Sequence, residues 1–510
     1  MREFAQILPI SLNRKAIKND FIHISYLEYM KRKFVIVMAV MLIGILGSAP
    51  LSGVYVQKMV SDETASSSGA VKNNNGYDFL IITPSEFALA LQPLILHKDS
   101  HGVQTILVML DEIYNSNYFP VQGRDDAEKV KYFIKDAVEQ WGIKYVMLVG
   151  GRHGGLLKEK WWCPVRYVHL DDKSNWEVSY LSDLYFADIY DSEGHFSSWD
   201  SNGNGIFGEW KGNKAEDGPI DLKPDVYVGR LACRTEKEVE VMVNKIIEYE
   251  NTTYGQDWFN KMVVAAGDTY PEYPTNEGEL GTQQALDWMP GFTPIKLWTS
   301  TGTLTGEDDV INAVSQGCGF LFFDGHGNPM TWATHPPGDG DTWIDGLKVQ
   351  DMKKLSNDGK YPVCVVGGCH NSQFNVSVLN YLKLYEGIWN WYEHLYKGET
   401  SYECFSWWLT SEEGGGSIAT TGYSGLGYTK EDKNFTGEAS EWIDTHFFWE
   451  YGMNGTDILG EIWGKVIDGY LNTYPIDWNQ PAGSFTSIDA KTAQEWILLG
   501  DPTLKIGGYP

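Results

Sequence analysis

Two short apolar runs that each end in a reactive side chain constrain the fold of this chain more than any other feature. Residues 318–327 read CGFLFFDGHG, and residues 361–371 read YPVCVVGGCHN. Runs that are this short, this apolar and closed by glycines are typical of strands buried on both faces of a parallel sheet. The sequence therefore predicts two buried strands, one followed by His326 and the other by Cys369.

The carboxyl ends of neighbouring parallel strands open into one crevice, so the two turns can meet although 43 positions separate His326 from Cys369. A free thiol has a pKa of about 8.5 and is only a few per cent thiolate at neutral pH, and an adjacent imidazole can take its proton. This pair predicts a nucleophile, Cys369, and its base, His326. The N–H groups of Gly327 and Cys369 are the candidate oxyanion donors, because a glycine lets a substrate carbonyl approach the backbone.

At these residues the sequence resembles the gingipain-type cysteine peptidases, which are relatives of the caspases. The resemblance extends over roughly residues 77–506 and rests on FDGHG at 323–327 and GGCHN at 367–371. It implies that His326 and Cys369 form a catalytic dyad. It also implies an α/β fold in which a smaller α/β subdomain precedes a caspase/gingipain-like catalytic subdomain built on a parallel sheet.

Two other interpretations of the same residues stay open. A buried cysteine and a loop histidine can occur together without any chemistry. A zinc site is the second alternative, although the sequence lacks a short paired-ligand spacing such as Cys-x-x-Cys; its ligands would be His326, His335, Cys369 and His370. His153 is a weaker candidate for the base, because no cysteine-bearing turn follows it nearby, and its glycine-rich loop at 150–155 is predicted to be a plain turn.

Strands alternate with helices along most of the chain. Strands are predicted at 77–83, 105–110, 145–149, 225–230 and 262–266, with amphipathic helices between them. This alternation indicates a parallel sheet with crossover helices. We predict an N-terminal α/β subdomain over 77–255 and the catalytic subdomain over 256–510, since 510 residues can form two or three cores.

The first 76 residues read as a targeting segment and a linker. A basic flank at 30–33, an apolar stretch at 34–47 and small residues at 47–49 are typical of a signal peptide, predicted over 1–49. A retained N-terminal membrane anchor is the alternative. Residues 50–76 are predicted to be a linker. Secretion is the leading expectation, and the six cysteines are few for such a protein, so disulfides are not expected to be its main support.

The net charge of −28 argues against nucleic-acid binding, because the phosphate backbone requires a basic surface. A structural calcium site is predicted in the loop 200–209, where oxygen donors alternate and a glycine stands sixth, and some peptidases of the family that the chain resembles bind calcium. The loop departs from the EF-hand pattern because its twelfth position is Lys211. The candidate ligands are Asp200, Asn202, Asn204, Ile206 and Glu209.

A carboxylate that orients the imidazole would be a third catalytic group. Asp268 follows a predicted strand 58 residues before His326, and a carboxylate there would stabilise the charged imidazole. Some gingipain-type enzymes use an acidic residue at a similar place. The rivals are Glu272, Glu277 and Glu279. Farther along the chain, Trp407 and Trp408 are expected to pack in the core rather than line a cleft.

The predicted function is that of a secreted cysteine endopeptidase that acts on proteins or peptides through a thioester acyl-enzyme. No organic cofactor and no nucleic acid are expected, and a membrane would be a partner only if the N-terminal segment is retained. Two alternatives stay open: a transpeptidase that uses the same dyad, and a catalytically silent module that binds peptide or glycan.

Overall fold

A ten-stranded sheet forms the centre of the protein. The computed structural model describes residues 4–6, 76–430 and 437–510. The strands of the sheet stand in the order β11-β10-β12-β16-β17-β19-β9-β4-β2-β3, and only the β17–β19 pair is antiparallel. Their bounds are β2 Phe79–Thr83, β3 Thr105–Met109, β4 Tyr145–Val149, β9 Tyr227–Leu231, β10 Lys261–Ala266, β11 Thr293–Trp298, β12 Phe320–Asp324, β16 Val363–Gly367, β17 Ala419–Tyr423 and β19 Trp496–Leu499. The mixed α/β fold predicted from the sequence is confirmed.

Helices cover both faces of this sheet. They are α1 Gln92–Ser100, α2 Leu110–Tyr114, α3 Asp126–Trp141, α4 Glu236–Thr252, α5 Glu277–Asp287, α6 Glu307–Ser315, α7 Ile388–Tyr396, α8 Phe405–Ser411, α9 Ser440–Gly452, α10 Leu459–Thr473 and α11 Phe485–Glu495. The ends of α3 follow from its sequence, because the Asp125 side chain accepts a hydrogen bond from the Glu128 N–H and Gly142 ends the helix at φ 76°. Short 3₁₀ segments occupy Ser85–Phe87, Leu184–Phe186, Met352–Lys354 and Val378–Glu386.

β12 and β16 are buried on both faces, as their apolar runs predict. Successive side chains of a strand point to opposite faces. Phe320 and Phe322 of β12 accordingly join one hydrophobic cluster, whereas Leu321 and Phe323 join a second one. Trp407 is fully buried in the first cluster, which agrees with its predicted place in the core.

The sheet is continuous across the predicted boundary between residues 255 and 256. β19 comes from the C-terminal end of the chain, yet it pairs with β17 on one side and with β9 on the other. The four strands of the N-terminal half and the six of the C-terminal half therefore share one sheet.

Smaller sheets surround the central one. A three-stranded antiparallel sheet follows β12 directly and consists of β13 His326–Asn328, β14 Thr331–Thr334 and β15 Ile344–Lys348. Two-stranded pairs are formed by β5 Arg152–Gly154 with β6 Lys160–Trp161, by β7 Tyr167–Val168 with β8 Tyr180–Leu181, and by β1 Phe4–Gln6 with β18 Tyr428–Lys430.

Most of the predicted targeting segment and linker lies outside the described residues. Among the helices that the structure does describe, none is both long and apolar enough to cross a bilayer. All six cysteines belong to the described residues, and each is buried with a free thiol.

Candidate active site

His326 and Cys369 follow two neighbouring strands at the same edge of the sheet. β12 and β16 pair in parallel from Phe320 with Val363 to Asp324 with Gly367, and each reactive residue stands two positions beyond its strand. The two turns touch, since a Cβ atom placed on Gly327 would lie 2.9 Å from the carbonyl oxygen of Cys369. A side chain at Gly327 would therefore push the turns apart. The structure brings together the two residues that the sequence predicted.

The imidazole of His326 is held by a backbone carbonyl. Its Nε2 atom lies 2.8 Å from the oxygen of Thr269. A carbonyl only accepts, so Nε2 carries the proton and Nδ1 is left as the basic nitrogen. Nδ1 is buried and has no hydrogen-bond partner among the described residues. Burial lowers the pKa of His326 to about 4, so the ring is neutral at pH 7.

Asp268 is not the hydrogen-bond partner of His326 in this structure. Its Oδ2 atom accepts a hydrogen bond from the Gly338 N–H at 2.7 Å, and burial raises the pKa of this carboxyl. The residue does stand at the predicted strand end, but the orienting group is the carbonyl of the next residue, Thr269. Sequence reasoning missed this group because a backbone carbonyl leaves no trace in the side-chain pattern.

The thiol of Cys369 is also neutral and enclosed. The residue is only 3% exposed, and its Sγ atom lies 3.7 Å from the carbonyl oxygen of Gly427. Burial, reinforced by the negative charge of Glu495, raises the pKa of the Cys369 thiol to about 12. At pH 7 Cys369 therefore carries a neutral thiol and His326 a neutral imidazole.

A small acidic cavity of about 30 Å³ adjoins Cys369. Four of its lining residues carry carboxyl groups, namely Glu277, Asp324, Glu441 and Asp444. Burial raises the pKa of Asp324 to about 8 and that of Glu277 to about 6, and it raises the pKa values of Glu441 and Asp444 well above the ordinary range. A nearby cation favours the ionised form of a carboxyl group and so opposes the effect of burial on these pKa values.

Asn371 ties the cysteine turn to the histidine hairpin. Its side chain is fully buried, and its Nδ2 atom donates to the carbonyl oxygens of Asn328 at 2.7 Å and Thr331 at 3.2 Å. These two carbonyls belong to β13 and β14, the hairpin that begins with His326. Asn371 therefore fixes the position of the His326 hairpin relative to the turn that carries Cys369.

Replacing Asn371 with alanine is expected to lower kcat/KM for a peptide substrate about 10- to 100-fold, because a displacement of about 1 Å between catalytic groups has effects of this size. Steady-state kinetics would measure the loss, mainly in kcat. Asn375→Ala is the matched control, since the Asn375 amide donates to the Tyr167 hydroxyl instead of the histidine hairpin. Equal losses in the two variants would refute the positioning role of Asn371.

His335 packs beside His326 with ring centroids 5.5 Å apart, whereas His370 and His153 have other neighbours. The Nδ1 atom of His335 lies 2.6 Å from the Thr342 carbonyl oxygen, and the Nδ1 atom of His370 lies 3.6 Å from a carboxylate oxygen of Glu177. His153 stacks on Trp162 with ring centroids 4.2 Å apart. Within the described ranges no three His, Cys, Asp or Glu side chains are arranged to hold a metal ion, so the four candidate zinc ligands do not form such a group.

The predicted calcium loop brings several oxygen donors around Asn204. The Asn204 N–H donates to the side-chain oxygens of Asp200 at 3.0 Å and Asn202 at 2.9 Å, and its side-chain amide donates to Glu209 at 2.7 Å. The guanidinium of Arg124 lies 2.5 Å from the second carboxylate oxygen of Asp200. The donor set suits calcium, but Arg124 already neutralises its strongest ligand. The side-chain oxygen of Asn204 accepts from the Ile206 N–H at 2.7 Å.

Comparison with known proteins places these features in a family. The model of peptidase family C25 matches residues 72–507. Lys-gingipain from Porphyromonas gingivalis is 23% identical over 159 residues, which make up 30% of this chain and 8% of that protein. The chain thus matches only a small part of the length of this curated relative.

Solved structures share the fold at low sequence identity. The crystal structure of the Arg-specific cysteine proteinase gingipain R aligns with a TM-score of 0.55 and 16% identity over 85% of this chain and 79% of that one. The complex of the pro- and mature domains of Porphyromonas gingivalis RgpB aligns with a TM-score of 0.54 and 15% identity, over 84% and 79% of the two chains. These likenesses establish the gingipain-like, caspase-related fold that the sequence motifs implied.

Proposed function

The chain belongs to peptidase family C25, and on that premise we propose that it is a cysteine endopeptidase whose nucleophile is Cys369 and whose base is His326. One observation carries the proposal: the two residues stand at adjoining turns, with Nε2 of the histidine anchored to Thr269 and Nδ1 left basic. That arrangement supplies a thiol and a proton acceptor without any third side chain.

The proposed reaction has two steps. In the first, Sγ attacks the peptide carbonyl carbon while its proton moves to Nδ1 of His326, and the C–N bond then breaks as the imidazolium protonates the leaving amine. In the second, water attacks the thioester, gives one proton to His326 and releases the carboxylic acid, and the thiol is restored. The N–H groups of Gly327 and Cys369 hold the oxyanion in both steps.

A basic residue before the scissile bond is the proposed substrate preference. The acidic cavity beside Cys369 supports it, because four carboxyl groups line a space of about 30 Å³, which matches one ammonium group, whereas a guanidinium group would require the walls to move. The names of the relatives support the same preference, since one is called Lys-gingipain and another Arg-specific.

Replacing Glu441 with glutamine is expected to lower kcat/KM for a peptide with lysine at the cleavage site about 10- to 100-fold, because one charged hydrogen bond is lost to a buried cation. Cleavage of a matched peptide with a neutral residue should change far less. Glu450→Gln is the control from the same helix, α9, because Glu450 accepts hydrogen bonds from Asn454 and Thr456 and does not line the cavity.

The same cavity gives a pH dependence with a defined sign. Binding a cation requires ionised carboxyl groups, and the pKa values of Glu277 and Asp324 are raised to about 6 and about 8. In wild-type protein kcat/KM for the lysine peptide should therefore rise between pH 5.5 and 8 relative to that for the neutral peptide. The unliganded protein should lose stability over this range, because raised carboxyl pKa values favour folding only while the groups stay protonated. A flat ratio of the two kcat/KM values would contradict the assignment of this cavity.

A peptide library incubated with the purified chain tests the proposed function itself. Mass spectrometry would identify the cleaved bonds, and added amine nucleophiles would reveal transpeptidation as products joined to the amine. An electrophilic peptide should also label Cys369. The absence of cleavage, transfer and labelling together would leave the silent binding module as the better explanation.

Secretion is part of the proposal and follows from the basic and apolar segment at 30–49.

Structural calcium at the loop 200–209 is proposed as well. Calcium would be held by Asp200, Asn202, Asn204 and Glu209 with the Ile206 carbonyl, after Arg124 leaves Asp200. Millimolar calcium is expected to raise the melting temperature by about 2–5 °C, because a ligand that binds only the folded state stabilises it. The Asp200→Asn variant should lose this shift. Magnesium at the same concentration is the control, and an equal shift with both ions would contradict a specific site.

A further inference from the structure

We propose that residues 378–396 bind the surface of a lipid bilayer. This segment, termed the aromatic hairpin, consists of the 3₁₀ segment Val378–Glu386 and the helix α7, Ile388–Tyr396. It follows the cysteine turn and precedes α8. The proposal concerns a surface of the protein outside the dyad and does not depend on peptidase activity.

The aromatic hairpin presents its polar side to the protein. Residues at helical spacing line a cavity of about 650 Å³ beneath it, namely Asn380, Lys383, Glu386, Asn390, Glu393 and His394. An ordinary surface helix does the opposite and turns its apolar side to the core. The hairpin therefore turns polar side chains toward this cleft and leaves apolar ones in solvent, and Asn390 and Glu393 at the edge of the cleft are themselves exposed.

The polar side is satisfied by contacts within the protein. His394 pairs with Glu399 at 2.5 Å and with Glu386 at 3.1 Å, and the Asn380 amide donates to the carbonyl of Glu399 at 2.8 Å. The Tyr385 hydroxyl donates to the Leu156 carbonyl at 2.9 Å, which fastens the hairpin to the N-terminal half of the chain. These contacts fix which side of the hairpin faces outward.

The exposed side chains of the aromatic hairpin are mostly apolar and aromatic. Nine of the nineteen large hydrophobic side chains that are exposed among the described residues fall in this one segment of nineteen residues: Val378, Tyr381, Leu382, Leu384, Tyr385, Ile388, Trp389, Tyr392 and Tyr396. No residue of α7 is buried, and Trp389 is 78% exposed. Such a concentration of exposed apolar surface marks an interaction site.

A bilayer fits this surface better than a charged partner does. Tryptophan and tyrosine favour the membrane–water interface, where the ring is buried and the polar atom stays hydrated. The hairpin carries one lysine, two glutamates and His394, so it has almost no net charge, and the chain as a whole is at −28. Zwitterionic lipid is therefore the expected surface, because anionic lipid would repel the protein.

Hydrogen exchange on the full chain tests the proposal, with and without phosphatidylcholine vesicles. Vesicles are expected to slow amide exchange across residues 378–396 by about tenfold or more, because lipid contact suppresses local opening. Exchange in α1 should not change. The double variant Ile388→Ser with Trp389→Ser should lose the protection, whereas Leu89→Ser with Leu96→Ser should keep it. The control pair matches in exposure, since Leu89 is 78% and Leu96 71% exposed.

Three results would overturn the proposal. The first is an unchanged rate of amide hydrogen exchange in the aromatic hairpin when vesicles do bind the chain, which would assign binding to another part of the chain. The second is protection that grows with protein concentration in the absence of lipid, which would indicate a second copy. The third is protection that survives in the Ile388/Trp389 variant. Cleavage of a soluble peptide, measured in parallel, should be the same in both double variants and reports separately on the proposed function.

Discussion

Replacing Cys369 with alanine is expected to reduce cleavage of a lysine-containing peptide by a factor on the order of 10⁴ or more, because the loss of a nucleophile removes the covalent route entirely. The folded state should survive, since the side chain is small and touches the Gly427 carbonyl only weakly. Activity would be measured with a fluorogenic peptide, and folding by the melting temperature and circular dichroism.

Cys364→Ala is the matched control for this variant. Cys364 lies on β16, the strand that precedes Cys369, and is fully buried in the core five residues before it. Its replacement should lower stability by about 1 kcal/mol and leave kcat nearly unchanged. Substantial cleavage by the Cys369→Ala variant would refute the proposed mechanism, while the fold and the family assignment would be unaffected.

Replacing His326 with alanine is expected to lower kcat/KM about 10³-fold at pH 7, within the usual range for a general base. The thiol cannot compensate, because the pKa of Cys369 is raised to about 12 and almost no thiolate is present at neutral pH. The residual activity should rise about tenfold per pH unit between pH 7 and 9, as hydroxide replaces the missing base. Wild-type activity should show no such slope.

His153→Ala is the control for the second variant, since His153 also follows a buried strand but stacks on Trp162 away from the dyad. If the His326→Ala variant keeps full activity, or the His153→Ala variant loses its activity, His326 is not the base. His153 would then be the better candidate. The pH slope of the His326 variant provides an independent check, because a purely structural defect would lower activity equally at every pH.

The sequence predicted β12 and β16, and the places of His326 and Cys369 just beyond them, because short apolar runs that end in glycine are typical of buried strands followed by a sharp turn. β12, β16 and the turns that carry His326 and Cys369 follow from two stretches of about ten residues each. The partner of the imidazole could not be predicted in the same way. Asp268 was chosen for its carboxylate, whereas the structure uses the carbonyl of Thr269, which any residue could have supplied.

Contacts between distant segments also escaped prediction. Glu441 and Asp444 stand on α9, more than 70 residues after Cys369, and nothing in their local sequence distinguishes them from solvated acids. Arg124 likewise reaches Asp200 across 76 positions. The calcium pattern is local and visible in the sequence, while the cation that competes for it is not.

β19 has a consequence for synthesis of the protein. It is the last strand of the chain, yet it stands between β17 and β9 in the middle of the sheet. Until residues 496–499 leave the ribosome, β9 and β17 have no common neighbour, and the sheet remains two separate halves. Pairings between residues so far apart in sequence form late in folding. The turn that carries Cys369 follows β16, which pairs with β17 at this seam, so a chain that lacks residues 496–499 is expected to leave Cys369 beside an unpaired edge of β17.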